Sequence, residues 1–353
     1  MARLIAPSNC LCVRFNSSLS LFDSGLSSFT CKWRMNSSIV GSVMILPRSN
    51  LTSIQLFRHL HQGIPLGVIG GIMVKGCVVV KLGGGLITEK EKLCTPKLAI
   101  IDSLCGVIAE IVSEGYSVIL VHGAGSFGHL KAKRWSLHLG RLDESELVGS
   151  TEGDISAEGH ISSQDEAIIA VRKDMFNLNN HVIAGLEKHG ISSKVYPPHE
   201  WAIGTGEKFK GDVSIFADHH PMEVKVTFGD VVACEGSREF GILSGDDLVY
   251  RIAVEVPNVS RLVFALGGVD GLLRSPPIEG EPQDLLFEWR ESDGFSGEHF
   301  ENIDVTGGIF LKAERGSHVA NQGIEVKMVR GVAATLYSAM KGEDCRGTVI
   351  LPN

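Results

Sequence analysis

The sequence predicts an α/β fold, a mostly parallel sheet covered on both faces by helices. Two observations predict it. From Cys77 onward, short β-branched runs alternate with longer segments of helical apolar spacing. Three of those runs end in glycine clusters, Gly83–Gly85, Gly123–Gly128 and Gly267–Gly271. Open parallel sheets gather ligands at such strand ends.

The elements follow in order. CVVVKL (77–82) is the first strand of the body and stops at glycine. Over 97–114, Ile101, Leu104, Ile108 and Ile111 recur at helical spacing, and Gly115 supplies the stop. SVILV (117–121) is the next strand and runs into HGAGSFGH. A polar stretch with Gly140, Gly149, Gly153 and Gly159 reads as an excursion, after which helical spacing resumes over 165–189 and stops at Gly190. VKVTF (224–228) and DVVAC (230–234) flank Gly229 and read as strands joined or bent there. LVFAL (262–266) ends in GGVDG, and 274–302 is a Pro-, Gly- and acid-rich insertion. After DVTGG (304–308) come a helix, the strand IEVKMV (324–329), another helix and the strand GTVIL (347–351).

Composition narrows the partners. The 353 residues are 44% apolar and 21% charged, with 41 glycines, as in a loop-rich globular protein. Eight cysteines lie scattered with no C-x-x-C pair, which indicates neither a zinc site nor a disulfide framework. Residues 1–75 carry a net charge of +6, so the remainder of a chain with net charge −8 is strongly acidic. An acidic body argues against a nucleic-acid partner, and no apolar run approaches a membrane span. Anionic ligands must then be held by a few placed cations.

The first 75 residues are rich in Ser and Arg and nearly free of acids, which resembles an organellar transit peptide. Met73 directly precedes KGCVVVKLGGG, so a later start stays open beside targeting. The expected organisation is a poorly ordered extension over 1–75 and one domain over 76–353. Cytoplasmic residence is expected, or a plastid or mitochondrion if the extension targets.

The glycine motifs decide the chemistry. VHGAGSFGH (121–129) contains G-x-G-x-x-G, a dinucleotide fingerprint when a second strand and then an acid follow about twenty residues on. Asp143 and Glu144 have that spacing, but the intervening KAKRWSLHLGRL offers no strand, and the nicotinamide reading fails. No G-x-x-x-x-G-K-[ST] occurs, which excludes a P-loop. Glycine lets backbone amides approach phosphate oxygens, and Lys81 inside an apolar strand calls for an anion to compensate its charge. Lys90, His129 after the second glycine loop, and Lys312 after DVTGG add further phosphate-binding candidates. SGDDL (244–248) reads as a helix cap.

Together VVVKLGGGLITEK, VHGAGSFGH, FGDVV (228–232), LSGDDL (243–248), VDG (269–271) and DVTGG-x-x-x-Lys resemble the amino acid kinase family, across 76–353 in the expected order. Members that phosphorylate isopentenyl phosphate are the most similar, and the histidine of HGAGSFGH marks phosphate-accepting members. The resemblance implies a three-layer αβα sandwich with a mostly parallel open sheet. It implies ATP-dependent conversion of isopentenyl phosphate to isopentenyl diphosphate in isoprenoid biosynthesis, with Mg²⁺, and a homodimer. Lys81 and Gly83, Gly84 and Gly85 would then contact the transferring phosphates, with Lys90 as transition-state stabiliser. Ala124, His129 and Gly245 would hold the acceptor, while Gly125, Asp270 and Lys312 would face ATP, with no protein metal ligand assigned. An apolar cavity for the prenyl tail is expected from 168–186 (Ile168, Met175, Phe176, Val182, Ile183), residues that serve equally well as plain core.

The chain departs from the family pattern in four places. Gly85 stands where a small hydroxyl residue is usual, Gly267-Gly268 replaces Thr-Asp, Leu311 replaces glycine, and 140–164 reads as inserted. The alternatives are a kinase for another small phosphate or phosphonate, such as fosfomycin, and a non-catalytic nucleotide-binding protein of the same fold.

Overall fold

A computed structural model describes residues 75–143, 161–275, 277–278, 281–294 and 308–353, with the backbone of 29–35, 38–45, 67–69 and 72–74. The chain divides into two units, Met1–Gly63 and Ile64–Asn353. In the first, β1 (Phe29–Met35) and β2 (Ser38–Ile45) pair antiparallel. In the second, β3 (Gly67–Ile69) and β4 (Ile72–Val74) pair as a short antiparallel hairpin. The expectations of disorder over 1–75 and of an insertion over 140–164 fall largely outside the described residues.

The body opens with β5 (Cys77–Leu82), a helical turn α1 (Gly84–Ile87), α2 (Leu98–Ser113) and β6 (Ser117–His122). Short α3 (His129–Arg134), long α4 (Gln164–Lys188), β7 (Ser192–Val195) and α5 (Pro198–Trp201) follow. Next come β8 (Glu223–Phe228), β9 (Asp230–Ala233), β10 (Phe240–Leu243), α6 (Gly245–Glu255) and β11 (Val259–Leu266). The chain closes with β12 (Glu288–Trp289), α7 (Gly308–Ala320), β13 (Glu325–Arg330), α8 (Ala333–Lys341) and β14 (Gly347–Ile350).

Eight strands form one open sheet in the order β12-β14-β13-β11-β5-β6-β8-β7, parallel except between β13 and β14. Alternation along β5 builds the two helical layers. Val78, Val80 and Leu82 join a core with α2, α4 and α8, while Cys77 and Val79 join a second core with α6 and α7. The predicted sandwich is therefore present, with both faces of the central strand filled. Lys81 shares the parity of Cys77 and Val79, so the same alternation sends its side chain beneath α6.

The element boundaries expected over 97–114 and 165–189 differ from α2 and α4 by one residue at each end. The polar excursion after Gly128 starts as helix α3 and carries buried Trp135 and Leu137. Within residues 76–353, three of the described strands escaped the sequence: β7, β10 and β12. β7 alternates exposed and half-buried residues at the sheet edge, and β12 has only two residues, so neither carries a clear apolar pattern.

Candidate active site

The three glycine clusters lie side by side, because β11, β5 and β6 are consecutive in the sheet and all deliver their carboxyl ends to one edge. The loops touch backbone to backbone. A Cβ on Gly123 would lie 2.6 Å from Gly84 N, and one on Gly84 would overlap the Gly125 backbone. Gly125 itself has φ of +50°, a left-handed conformation suited to glycine. Buried Thr88 locks the junction, donating to Gly84 O at 2.8 Å and accepting from Ser126 N at 3.0 Å.

Above these loops lies a cleft of about 580 Å³, a volume typical of small-ligand sites. Lys81, Lys90, His129 and Lys312 all line it, as do Gly83, Gly84, Gly85, Ala124, Gly125 and Gly245. Residues separated by more than two hundred positions thus face one space. Asp270 is the exception among the expected site residues. Its neighbour Val269 lines the cleft, but its own carboxylate is held by Arg330 at 2.7 Å and Arg346 at 2.6 Å. Of the DVTGG turn, only Gly308 is described.

Lys81 is 4% exposed and ion-paired with Asp246 at the start of α6, so its charge is compensated inside the protein. The other Asp246 oxygen accepts from Lys312 Nζ at 3.3 Å, and Lys312 Nζ also donates to Gly308 O at 3.0 Å. One carboxylate therefore fixes two ammonium groups of the cleft. Burial drives the Lys81 ammonium down to about 8, with Asp246 opposing that shift. Burial alone would raise the Asp246 carboxyl, but Lys312 and Lys81 outweigh it and hold the group below the usual carboxylate range. The two shifts agree on a charged pair at neutral pH.

Adjacent Asp247 accepts from Arg315 Nε at 2.8 Å, tying α6 to the helix that bears Lys312. Ser244 caps α6 by accepting from Asp246 N at 3.1 Å, and both aspartates sit in the first turn, where the helix dipole favours negative charge. The sequence signal was present in SGDDL, but its cap function masks the second task of Asp246.

Behind the glycine loop, His122 is fully buried against Phe228, with ring centroids 5.1 Å apart. Its nitrogens lie 3.2 Å from Gly123 O and 3.3 Å from the Asn179 side chain. Burial pushes the ring down to about 4, so a neutral imidazole props this loop. His129 opens α3, whose Lys131 pairs with Asp174 of α4 at 2.5 Å. At that end the cleft turns apolar, lined by Val171, Met175, Val231 and Ile242. Of the five residues expected around a tail, Met175 alone lines the cleft; Ile168 and Val182 are core. Asp230, also in the lining, receives His199 Nδ1 at 2.6 Å and Val231 N at 2.8 Å, which braces the β8–β9 bend.

The chain matches the amino acid kinase family over residues 76–329. It is 28% identical over 280 residues to the isopentenyl phosphate kinase of Methanothermobacter thermautotrophicus, covering 77% of this chain and 98% of that one. The corresponding protein of Arabidopsis thaliana is 25% identical over 264 residues, covering 67% of this chain and 74% of the relative. Among solved structures, an isopentenyl phosphate kinase superposes with a TM-score of 0.62 at 23% identity, over 78% of this chain and 99% of that one. The last likeness speaks to the fold alone.

Proposed function

The chain belongs to the amino acid kinase family, and on that premise we propose that it transfers the γ-phosphoryl group of ATP to isopentenyl phosphate, giving isopentenyl diphosphate and ADP. Relatives with that name span nearly the whole body. The observation that carries the reading is one cleft in which Lys81, Lys90 and Lys312 face a glycine floor and His129, with an apolar end beyond the histidine. That layout suits two polyanions meeting at a shared phosphorus, one of which has a hydrocarbon tail.

The chemistry needs alignment and charge neutralisation. A terminal oxygen of the acceptor phosphate attacks the γ-phosphorus, and the bond to the β–γ bridging oxygen breaks as ADP leaves. The acceptor is already anionic, so no strong general base is required. Lys81 and Lys312, fixed by Asp246, would hold nucleotide phosphates, and Lys90 would meet charge on the equatorial oxygens. Ala124 and Gly245 would supply backbone contacts to the acceptor. Mg²⁺ would neutralise charge on the nucleotide phosphates, bound mainly through those oxygens and water; the described residues hold no cluster of three acidic, histidine or cysteine ligands.

The test offers the full chain ATP, Mg²⁺ and a panel of small phosphates and phosphonates, with products followed by ³¹P NMR. Isopentenyl phosphate is expected to give the highest kcat/KM. Turnover of fosfomycin or another acceptor without isopentenyl phosphate would transfer the reading to that substrate, and no ATP consumption with any would favour a non-catalytic binder. His129→Ala is expected to raise the KM for isopentenyl phosphate at least about tenfold while moving that for ATP much less, as loss of a charge-assisted hydrogen bond implies. Equal effects on both would remove His129 from the acceptor side.

Lys81 sets a pH dependence. Its ammonium is full well below pH 8 and is lost as pH rises through about 8 in the free protein. The kcat/KM for ATP should therefore fall above pH 8, whereas kcat should hold to higher pH because bound polyphosphate favours the protonated lysine. A flat kcat/KM profile to pH 9.5 would contradict this.

Among the described residues, no helix is long and apolar enough to cross a membrane. A homodimer is proposed from the family, to be checked by light scattering; cytoplasmic residence is proposed, with a plastid or mitochondrion as the alternative if residues 1–75 target, and N-terminal sequencing of the native protein separates the two.

A further inference from the structure

The third glycine loop, Gly267–Gly271, lies across β5 from the HGAGSFGH loop, because β11 and β6 flank β5 in the sheet. Gly267 and Val269 line the cleft there, on the side away from the loop that leads into His129. Little in the loop itself sets its shape. Gly267 and Gly268 have no side chains, and successive glycines are the least restricted backbone a chain can have. Gly268 has φ of +81°, and a Cβ on it would meet nothing within 4 Å among the described residues. With Gly267-Gly268 in place of the usual Thr-Asp, no side chain of the loop is available at these two positions to order it.

Order comes from outside. Gln283 Nε2 donates to Gly268 O at 2.8 Å, and Gln283 Oε1 accepts from Asp270 N at 2.8 Å. A carbonyl only accepts and a backbone N–H only donates, so this pair calls for both ends of one amide. The amide closes on the backbone on either side of Val269. Arg330 adds a bond to Gly268 O at 3.1 Å, and with Arg346 it holds the Asp270 carboxylate.

Gln283 belongs to the stretch that the sequence marks as an insertion, and its own backbone is anchored. Arg274 N donates to Asp284 O at 2.9 Å, Leu286 N to Leu272 O at 2.9 Å, and Leu272 N to Thr348 Oγ1 at 2.8 Å, beside buried Leu285. On its other side the loop leans on the first glycine loop: a Cβ on Gly267 would lie 3.0 Å from Gly85 O and from the Leu86 backbone. A shift of Gly267 therefore reaches the floor of the cleft.

We propose that Gln283 is a positioning residue for the nucleotide, its amide holding the Gly267–Asp270 loop in the shape that receives ATP before ATP arrives. This rests on the kinase reading given above. It gives the insertion a task, and it makes Asp270 part of the brace through its N–H and its carboxylate.

The experiment compares the full-length wild type with Gln283→Leu, which keeps the side-chain volume and loses the amide, and Gln283→Ala, which loses both. Calorimetry should show the Kd for ATP raised about five- to fiftyfold in both variants, the range for two neutral hydrogen bonds. The KM for the acceptor should move less than about twofold, and kcat at saturating ATP less than about threefold, because bound nucleotide reorders the loop. Amide exchange over 267–271 should quicken in both ligand-free variants and slow again with ATP. An ATP affinity kept by Gln283→Leu would show a side chain that only fills space, and equal losses for ATP and acceptor would show general loosening; either overturns the proposal. Turnover of another acceptor in place of isopentenyl phosphate would strike the acceptor reading alone, since nucleotide binding is measured without it. A wild type that binds no ATP would overturn the kinase reading and this proposal with it.

Discussion

Lys90→Ala is expected to lower kcat about a hundred- to a thousandfold while ATP still binds, the loss seen when one preorganised transition-state donor is removed. The reason lies in how the three cleft lysines are held. Lys81 and Lys312 are tethered to Asp246 before any ligand arrives, so they suit a phosphate bound throughout the reaction. Lys90 has no carboxylate partner among the described residues, and its charge is available to oxygens that gain charge only during transfer. Binding of ATP by titration calorimetry and single-turnover rates together check this. Parallel losses in ATP affinity and rate would make Lys90 a ground-state phosphate ligand, and unchanged turnover would remove it from the mechanism.

Asp246→Asn should be at least as damaging, and by a different route. The substitution keeps the shape but leaves Lys81 buried beside Lys312 with no ion-pair partner, opposed only by the weaker field of Asp247, which is committed to Arg315. Removing one partner of a buried pair costs about 3–5 kcal/mol, so the ligand-free protein should unfold several degrees earlier. The Lys81 ammonium should also titrate below the value of about 8 that it has opposite Asp246. ATP supplies replacement negative charge, so nucleotide should restore more stability to this variant than to the wild type. Differential scanning fluorimetry with and without ATP reads that difference. Turnover should fall about a hundredfold or more even with ATP saturating, because both lysines lose the brace that sets their geometry. Equal stabilisation by ATP in both proteins would show that Asp246 does not order the phosphate-binding cations.

Much of this site was legible in the sequence because its parts are local. Gly83–Gly85 and Gly123–Gly128 announce themselves by spacing, and Lys81 by standing inside an apolar strand. Strand alternation then fixes the face on which Lys81 lies. Asp246 was not legible as a lysine brace, since its partners are 165 and 66 positions away in sequence and its own surroundings already explain an acid as part of a helix start. Asp247 with Arg315, His122 with Asn179 and Asp230 with His199 were hidden for the same reason: each is a pair made by packing. The lining of the apolar end was half legible. The periodicity of α4 marks its buried stripe, but only the fold separates Val171 and Met175, which reach the cleft, from Ile168 and Val182, which do not. Asp270 shows the converse, a residue in a motif whose carboxylate the fold commits to two arginines.

The central claim is that donor and acceptor anions share one cleft, with lysines over one and His129 over the other. A compound joining adenosine to an isopentenyl group through a polyphosphate chain tests it most directly, since binding one end raises the effective concentration of the other. The account predicts inhibition competitive against both ATP and isopentenyl phosphate, with an affinity well above that of either substrate. Competition with ATP alone, leaving the acceptor's binding untouched, would contradict it.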